Sequence, residues 1–155
     1  MPTTCERRLS RMLGLPGIHH GRMSGRVERT VAHPQGHALM GVILRKGLGS
    51  ARWADRKSIA VLGEVSVILS EAPRRLPPDT NFSLGSVRDS GGMTLGWVTD
   101  VLFQPDCGAF SALEISLGPT EELLGGRYLI RSWPVHPSSG QVMIPCGCVL
   151  EHARR

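Results

Sequence analysis

The feature of this sequence that most constrains its fold is an internal repeat, in which a segment near the N-terminus returns in the second half of the chain. Residues 13–47 align with residues 84–118 without a gap, and eight of the 35 positions are identical. The identical pairs are Leu13/Leu84, Gly14/Gly85, Gly21/Gly92, Gly25/Gly96, Val27/Val98, Pro34/Pro105, Ala38/Ala109 and Gly47/Gly118. Glycine is needed where the backbone takes a positive φ or another segment approaches closely. The repeat therefore predicts one small unit that is built twice.

A weaker match continues the repeat towards the C-terminus. Residues 63–67 resemble residues 140–144, at an offset six positions wider than that of the first match, which predicts an insertion of six residues between Gly118 and Gly140. Between the copies, residues 71–82 contain three prolines and no hydrophobic periodicity, which is typical of a linker. We therefore predict two domains, residues 1–77 and 78–155, with a boundary near Pro78.

Short strands separated by turns are predicted in both copies. In the second copy they cover residues 84–88, 94–103, 109–117, 127–133 and 141–150, with a helical turn at residues 118–124. Along 94–103, alternation places Trp97 and Val101 on one face and Val98 and Asp100 on the other. The chain has 19 glycines and 11 prolines and few helical patterns. We predict an all-β fold of two tandem small β-barrels, because a barrel leaves no exposed strand edges.

The charge of the chain is divided unevenly between the two copies. Residues 1–77 carry a net charge of +8, and residues 78–155 carry −3. A basic half predicts a surface for RNA, for an acidic lipid or for an acidic protein, while solubilising charge and attraction between the halves stay open as alternatives. The candidate partner-binding residues are Arg26, Arg29, Arg45, Lys46 and Trp97. Trp97 is included because a surface tryptophan is a typical anchor of an interface, although burial in the protein remains the alternative.

The sequence contains no set of residues that predicts catalysis. It lacks the Gly-x-Ser-x-Gly pattern of serine hydrolases and a glycine-rich phosphate loop, so we predict no catalytic residues and no cofactor. Six histidines and the pair Cys146 and Cys148 leave a metal-binding sensor as an alternative, but we favour exposed turn histidines and small core cysteines as the explanation. No residues are assigned as metal ligands. No stretch is long enough to span a membrane, and the basic N-terminus does not resemble a secretion signal, so we expect a cytoplasmic protein.

The second copy carries the pattern by which this chain resembles a known family. A Gly-x-Val strand at 85–87, a glycine turn, a Gly-x-Val-x-Asp-Val strand at 96–101 and a Pro-Asp-x-Gly hairpin at 105–108 together resemble the start of a PRC-barrel. The first copy is similar, but Arg29 stands where the second has Asp100. The motif positions are Gly25, Gly85, Gly92, Gly96, Val98, Asp100, Pro105 and Gly118. Asp100 is expected to hold a turn or to pair with an arginine such as Arg127 or Arg131.

The resemblance implies a fold and a kind of partner, with little chemistry attached to it. PRC-barrels present a barrel face to a protein or to a ribonucleoprotein particle, and a fold does not by itself decide function. Our leading hypothesis is a non-enzymatic adaptor that binds a protein partner through its barrel surfaces. An RNA- or ribosome-associated module that uses the basic first barrel is the main alternative. The sequence leaves open whether the two barrels pair within one chain or exchange to form a homodimer.

Overall fold

The chain is built almost entirely from β-strands. The computed structural model describes residues 5–78, 80, 82–135, 139–144 and 149–153. Within these ranges there are fourteen strands, one α-helix and two short 3₁₀ segments. No helix in the described ranges is long and apolar enough to cross a membrane. The predicted all-β class is confirmed.

The strands are short except for two long ones that occupy equivalent places in the repeat. In chain order they are β1 (Arg7–Arg8), β2 (Pro16–His19), β3 (Arg22–Ala32), β4 (Leu39–Arg45), β5 (Arg52–Asp55), β6 (Ile59–Leu62), β7 (Val67–Leu69), β8 (Arg74–Arg75), β9 (Ser86–Arg88), β10 (Thr94–Phe103), β11 (Phe110–Ser116), β12 (Tyr128–Ile130), β13 (Val142–Met143) and β14 (Glu151–His152). The α-helix is α1 (Pro119–Gly125), and the 3₁₀ segments are Leu9–Met12 and Arg56–Ser58.

The strands form two sheets with matching orders. The first sheet runs β6-β7-β2-β3-β4-β5-β8, and the second runs β13-β9-β10-β11-β12-β14, with β1 paired to β10. Each sheet contains one parallel pair, β2 with β7 and β9 with β13, and its other pairs are antiparallel. No hydrogen-bonded ladder between described residues joins the two end strands of either sheet. Closure into barrels therefore stays a prediction.

The register of the central hairpin is the same in both sheets. The pairs of β3 with β4 are Arg26↔Arg45, Val27↔Leu44, Arg29↔Ile43, Thr30↔Val42, Val31↔Gly41 and Ala32↔Leu39. Each of these pairs reappears between β10 and β11, at the positions that the sequence alignment makes equivalent. The irregularities after Val27 and before Ala32 reappear after Val98 and before Phe103. The repeat found in the sequence is thus a repeat of hydrogen-bonded positions.

A β-bulge in β10 changes the face on which its residues lie. The register shifts between Val98 and Asp100, and such a bulge adds one residue to one strand of a pair. The alternation predicted for residues 94–103 is therefore wrong beyond Val98. Val101 is buried against the core although Trp97, which we assigned to the same face, is exposed.

The repeat does not keep its offset at the first strand of each sheet. β2 pairs with β3 through Gly17↔Gly25, whereas β9 pairs with β10 through Val87↔Gly96. Gly17 therefore corresponds to Val87 and not to Arg88, which the offset of the alignment would require. The first two identical pairs of the sequence alignment are for this reason not structural equivalents. The difference of one residue is accommodated by the register shifts that follow in both hairpins.

The position of the insertion was predicted correctly, but its length was not. Val67 pairs with Gly17 in the parallel ladder of the first sheet, and Val142 pairs with Val87 in that of the second. Val67 therefore corresponds to Val142 and not to Ile144, so the insertion is shorter than the sequence match predicted. The helix α1 lies between β11 and β12 and contains most of the additional chain.

One hydrophobic cluster extends across both sheets. It includes apolar side chains from the strands of each sheet and also Leu9 and Met12 from the N-terminal 3₁₀ segment. The first sheet ends at Arg75 and, apart from β1, the second begins at Ser86, so the predicted boundary near Pro78 falls between them. The division into 1–77 and 78–155 stays a prediction, and β1 adds the first strand of the chain to the second sheet.

The two sheets also meet through equivalent hairpin loops, one after β3 and one after β10. The backbone N–H of Leu39 donates to the carbonyl of Gly108, and the N–H of Phe110 donates to the carbonyl of His37, both at 2.9 Å. Leu39 and Phe110 are equivalent in the repeat, and so are His37 and Gly108. The contact therefore has a local pseudo-two-fold symmetry, like the interface of a symmetric dimer.

Two of the motif glycines are required by the close approach of another strand. A Cβ atom on Gly96 would lie 2.0 Å from the carbonyl oxygen of Ser116, and one on Gly25 would lie 3.0 Å from the carbonyl of Arg45. Ser116 and Arg45 are themselves equivalent in the repeat. Of the other motif residues, Val98 and Asp100 lie within β10, and the rest include Gly92 after β9, Pro105 after β10 and Gly118 immediately before α1.

Candidate protein-binding surfaces

Four apolar side chains form a row across the outer face of the first sheet. Ile18 on β2 is the register partner of Met23 on β3 and of Ile68 on β7, and Ile68 is the partner of Val61 on β6. Register partners point to the same side of a sheet. The exposed fractions are 52 % for Val61, 37 % for Ile68 and 40 % for Met23, and Ile18 is half-buried. We call these four residues the apolar row.

The apolar row lies outside the core because of strand alternation. On β7, Val67 and Leu69 are buried, and Ile68 between them points to the opposite face. Neighbouring strands lie about 4.8 Å apart, so a row across four strands is about 14 Å long. Exposed apolar side chains are common singly, but a contiguous row of this kind indicates a surface that contacts something.

Basic residues lie next to the apolar row on the same face. Arg26 is the next outward-facing residue of β3, and its register partner is Arg45 on β4. Arg26 donates to the carbonyl of Gly14 at 3.0 Å, and Arg45 pairs with Glu28 at 2.5 Å. Lys46 follows Arg45, and its ammonium group forms no hydrogen bond or ion pair with a described residue. Of the predicted binding residues, Arg26 and Arg45 are thus brought together, and Lys46 follows directly beyond the end of β4.

The pairing of Arg45 with Glu28 fixes the direction of its guanidinium without burying it. The hydrogen bond from Arg45 lowers the pKa of the Glu28 carboxyl and raises the pKa of Arg45. Both side chains are more than two-fifths exposed, so their attraction is weakened by solvent. Glu28 therefore offsets one positive charge of the flank and leaves those of Arg26 and Lys46 uncompensated.

Arg29 is used within the chain. Its guanidinium donates to the carbonyl of Thr80, in the segment that precedes the second sheet. The equivalent residue, Asp100, accepts hydrogen bonds from the N–H and hydroxyl of Ser10 at 3.2 and 2.6 Å, in the segment that precedes the first sheet. Both residues hold the segment that enters a repeat, although their charges are opposite.

The expected arginine partners of Asp100 bind other carboxylates. Arg127 pairs with Glu114 and Glu122, and Arg131 pairs with Glu6 at 2.9 Å and with Glu151 at 3.3 Å. The arginine that lies beside Asp100 is Arg8, at 3.7 Å. The sequence did not indicate this pairing, because it depends on β1 lying beside β10.

The second sheet carries a cluster of ion pairs around a position where the first sheet has a buried apolar side chain. Glu114 is only 2 % exposed and accepts hydrogen bonds from Arg8, from Arg127 at 3.1 Å and from the hydroxyl of Thr99 at 3.1 Å. Its equivalent in the first sheet is Ile43, which packs with Val31 and Trp53. One position of the repeat thus holds a buried carboxylate in one sheet and a buried isoleucine in the other.

The charges of this cluster are held by hydrogen bonds. The hydroxyl of Ser116 donates to Glu122 at 2.8 Å and, together with Arg127, lowers the pKa of the Glu122 carboxyl. Hydrogen bonds to Glu122 and Glu114 raise the pKa of Arg127. These groups are engaged with one another, which favours a structural role for the cluster.

Trp97 lies at the edge of the ion-pair cluster and is 55 % exposed. Its register partners are Ser86 and Ser116, and Ser116 is hydrogen-bonded to Glu122. Trp133 behaves differently, since it is buried and its indole N–H donates to the carbonyl of Gly36 at 3.0 Å. The sequence left Trp97 undecided between a contact surface and the core, and the structure shows that it is exposed.

The ion-pair cluster borders a cleft of about 750 Å³. Leu123 and Leu124 of α1 line it, and both are more than four-fifths exposed. A second cleft, of about 530 Å³, lies beside β1 and is lined by charged side chains that include Arg7, Arg11 and Glu64. Both clefts mix charges of opposite sign, so neither indicates one class of ligand.

The histidines and cysteines do not assemble into a metal centre in the part of the chain that the structure describes. No group of three potential ligands occurs there. His19 and His20 lie side by side with ring centroids 4.1 Å apart, and His37 stacks on Trp133. Cys146 and Cys148, on which the sensor alternative depends, lie outside the described residues, as does His136.

Sequence reasoning missed the apolar row. Val61 and Ile68 lie in the short runs 59–62 and 67–69, in which every residue is apolar, as in a strand that is buried on both faces. Such runs do not reveal which residues face the core. Only the pairing of β2 with β7, which are far apart along the chain, brings Ile18 next to Ile68.

No protein-family model matches the chain, and no curated protein is similar enough to count as a match.

Proposed function

We propose that this chain is a cytoplasmic adaptor that binds a protein partner through the outer face of its first sheet. The observation that carries the proposal is the apolar row with its basic flank, Arg26 and Lys46. The side chains of the row are not needed for the core, which lies on the other face of the sheet. Interfaces typically combine an apolar centre with a charged surround, and this face has both.

The difference between the two sheets supports this proposal. At the positions equivalent to Ile68, Ile18 and Met23, the second sheet has Met143, Arg88 and Thr94. The hydrogen-bonding register is shared, so the fold itself does not require apolar residues there. The row is a property of the first sheet, as expected for a surface that serves a contact.

The assignment to tandem PRC-barrels is kept as part of the proposal. The shared register of the two sheets supports a duplicated unit, and the family resemblance rests on the sequence motif alone. Trp97 and the neighbouring α1 provide a second exposed surface, on the other sheet. An adaptor needs two such surfaces to connect two partners.

The proposal is tested by affinity capture from a nuclease-treated native lysate with four forms of the full chain. They are the wild type, Met23→Ser, Trp97→Ser and Val65→Ser; Val65 is exposed and apolar but lies outside the row. We expect a protein that is retained by the wild type and the Val65 variant and lost with Met23→Ser. Loss of a captured protein with Trp97→Ser would show that this protein binds the second surface, beside α1.

Three results would count against the proposal. Capture that disappears on nuclease treatment would favour the RNA-associated alternative, whose binding also weakens steeply with salt. Capture that is equal for all four proteins would place the contact elsewhere. The absence of any specific protein from lysates of the native organism would remove the adaptor function.

A further inference from the structure

We infer that the apolar row receives an amphipathic α-helix of the partner, with acidic residues beside its apolar stripe. This inference rests on the proposed function and names the shape and charge of the partner segment. The row crosses the four strands β6, β7, β2 and β3 instead of running along one of them.

The spacing of the row matches that of a helix laid across the strands. Adjacent strands are about 4.8 Å apart, and an α-helix advances about 5.4 Å for each turn. Residues at i, i+4, i+7 and i+11 of a helix cover about 16 Å, which is close to the length of the row. An added β-strand would instead bind at a sheet edge through its backbone, and the apolar row lies on the face.

The charges beside the row favour acidic residues on this helix. On one side lie Arg26 and Lys46, whose charges have no carboxylate partner among the described residues. Arg22 is also exposed but does not border the row, because its register partner His19 pairs with buried Leu69 and so lies on the opposite face of the sheet. A helix with carboxylates along the border of its apolar stripe that lies beside Arg26 would meet this positive charge.

The same charges argue against a second copy of this chain as the occupant. Two copies that met row to row would bring their basic flanks together, and like charges across an interface disfavour association. The row is also shallow, because the side chains of Val61, Ile68 and Met23 are only 37 to 52 % exposed. An acidic protein helix therefore fits better than a second copy of this chain, and the match between the row and the turns of a helix favours it over a lipid surface, which has no fixed spacing.

The test is a selection of displayed helical peptides of about 16 residues against the full-length protein. The library varies the apolar residues at i, i+4, i+7 and i+11 and carries either acidic or basic residues at the bordering positions. We expect the acidic set to be enriched at least about tenfold over the basic set. Ile68→Ser and Arg26→Glu should each weaken the selected peptides at least about tenfold in fluorescence anisotropy.

The matched control is Met143→Ser, the equivalent exposed position on the second sheet. It should leave peptide affinity unchanged, and thermal melting of each variant should show that the fold is retained. Equal enrichment of both sets, enrichment of basic helices, or affinity that is indifferent to Ile68→Ser would overturn the inference. Sedimentation with phosphatidylserine vesicles that requires Ile68, in the absence of peptide binding, would also overturn it in favour of a lipid surface.

The failure of this inference can be told apart from the failure of the proposed function. A lysate partner that is lost with Met23→Ser, when no helical peptide is selected, leaves the adaptor function standing and removes the helix. Helical peptides that bind at the row, when the lysate yields no partner, support the surface chemistry and remove the adaptor function.

Discussion

Replacing Gly96 with alanine tests the close approach of β10 and β11. The added Cβ would lie 2.0 Å from the carbonyl oxygen of Ser116 and 2.9 Å from its carbon, and both are backbone atoms that no side-chain rotation moves. Ordinary contacts begin near 3.4 Å, so the strands must separate by more than 1 Å. Strain of this kind costs about 1–3 kcal/mol, and two weakened ladder hydrogen bonds add about 1 kcal/mol each. We expect a loss of about 3–5 kcal/mol.

The assay is thermal unfolding followed by circular dichroism, with Gly85→Ala as the control. For a chain of this length, 1 kcal/mol corresponds to about 2–4 °C, so Gly96→Ala should lower Tm by roughly 6–20 °C. Gly85 has no atom within 4 Å of its would-be Cβ and no positive φ, so its replacement should leave Tm nearly unchanged. Equal Tm values for the two variants would show that β10 and β11 do not approach so closely at Gly96. Gly96→Val should destabilise at least as much as the alanine.

Three further predictions concern the ion-pair cluster and the contact between the sheets. Arg8→Met removes one of the two arginines that pair with buried Glu114, and it should lower the free energy of unfolding in chemical denaturation by about 3 kcal/mol. Adding Glu114→Gln to the same chain should recover part of this loss. If the effects of the two substitutions simply add, the two residues are not coupled. The lowered pKa of Glu122 provides stability that is present above the carboxyl's unfolded pKa and is lost as the pH falls through its folded pKa. Glu122→Gln should therefore reduce the drop in Tm between about pH 6 and pH 3, and an unchanged drop would mean that the hydrogen bonds from Ser116 and Arg127 do not matter in solution. Trp133→Phe leaves the carbonyl of Gly36 without its donor and should lower the free energy of unfolding in urea by about 1–3 kcal/mol. A smaller loss than that caused by Trp97→Phe would contradict the burial of Trp133.

The central hairpin of each sheet could be predicted from sequence because local signals specify it. The bounds of β10, Thr94–Phe103, agree with the predicted strand, since a glycine turn precedes it and a Pro-Asp-x-Gly loop follows. The helical turn at residues 118–124 is likewise found as α1. These features depend on residues that are close together along the chain.

The parts that the sequence did not predict depend on pairings between distant residues. The partner of Asp100 comes from the N-terminal segment, which is about 90 residues away and has no pattern of its own as a strand. The side of the sheet on which Val101 lies depends on a β-bulge, and no residue type in the sequence indicates that bulge. The apolar row requires the parallel pairing of β2 with β7, and short apolar runs are compatible with either face pointing inward.

The most direct test of the proposed docking surface places a photo-crosslinking amino acid at position 68 of the full chain, in cells of the native organism. A second chain carries it at position 143, the equivalent position on the second sheet, and is irradiated in parallel. We expect adducts with one protein from position 68 that are absent from position 143, and peptides in those adducts that come from an acidic amphipathic helix. No adduct from position 68, or the same adducts from both positions, would contradict this expectation.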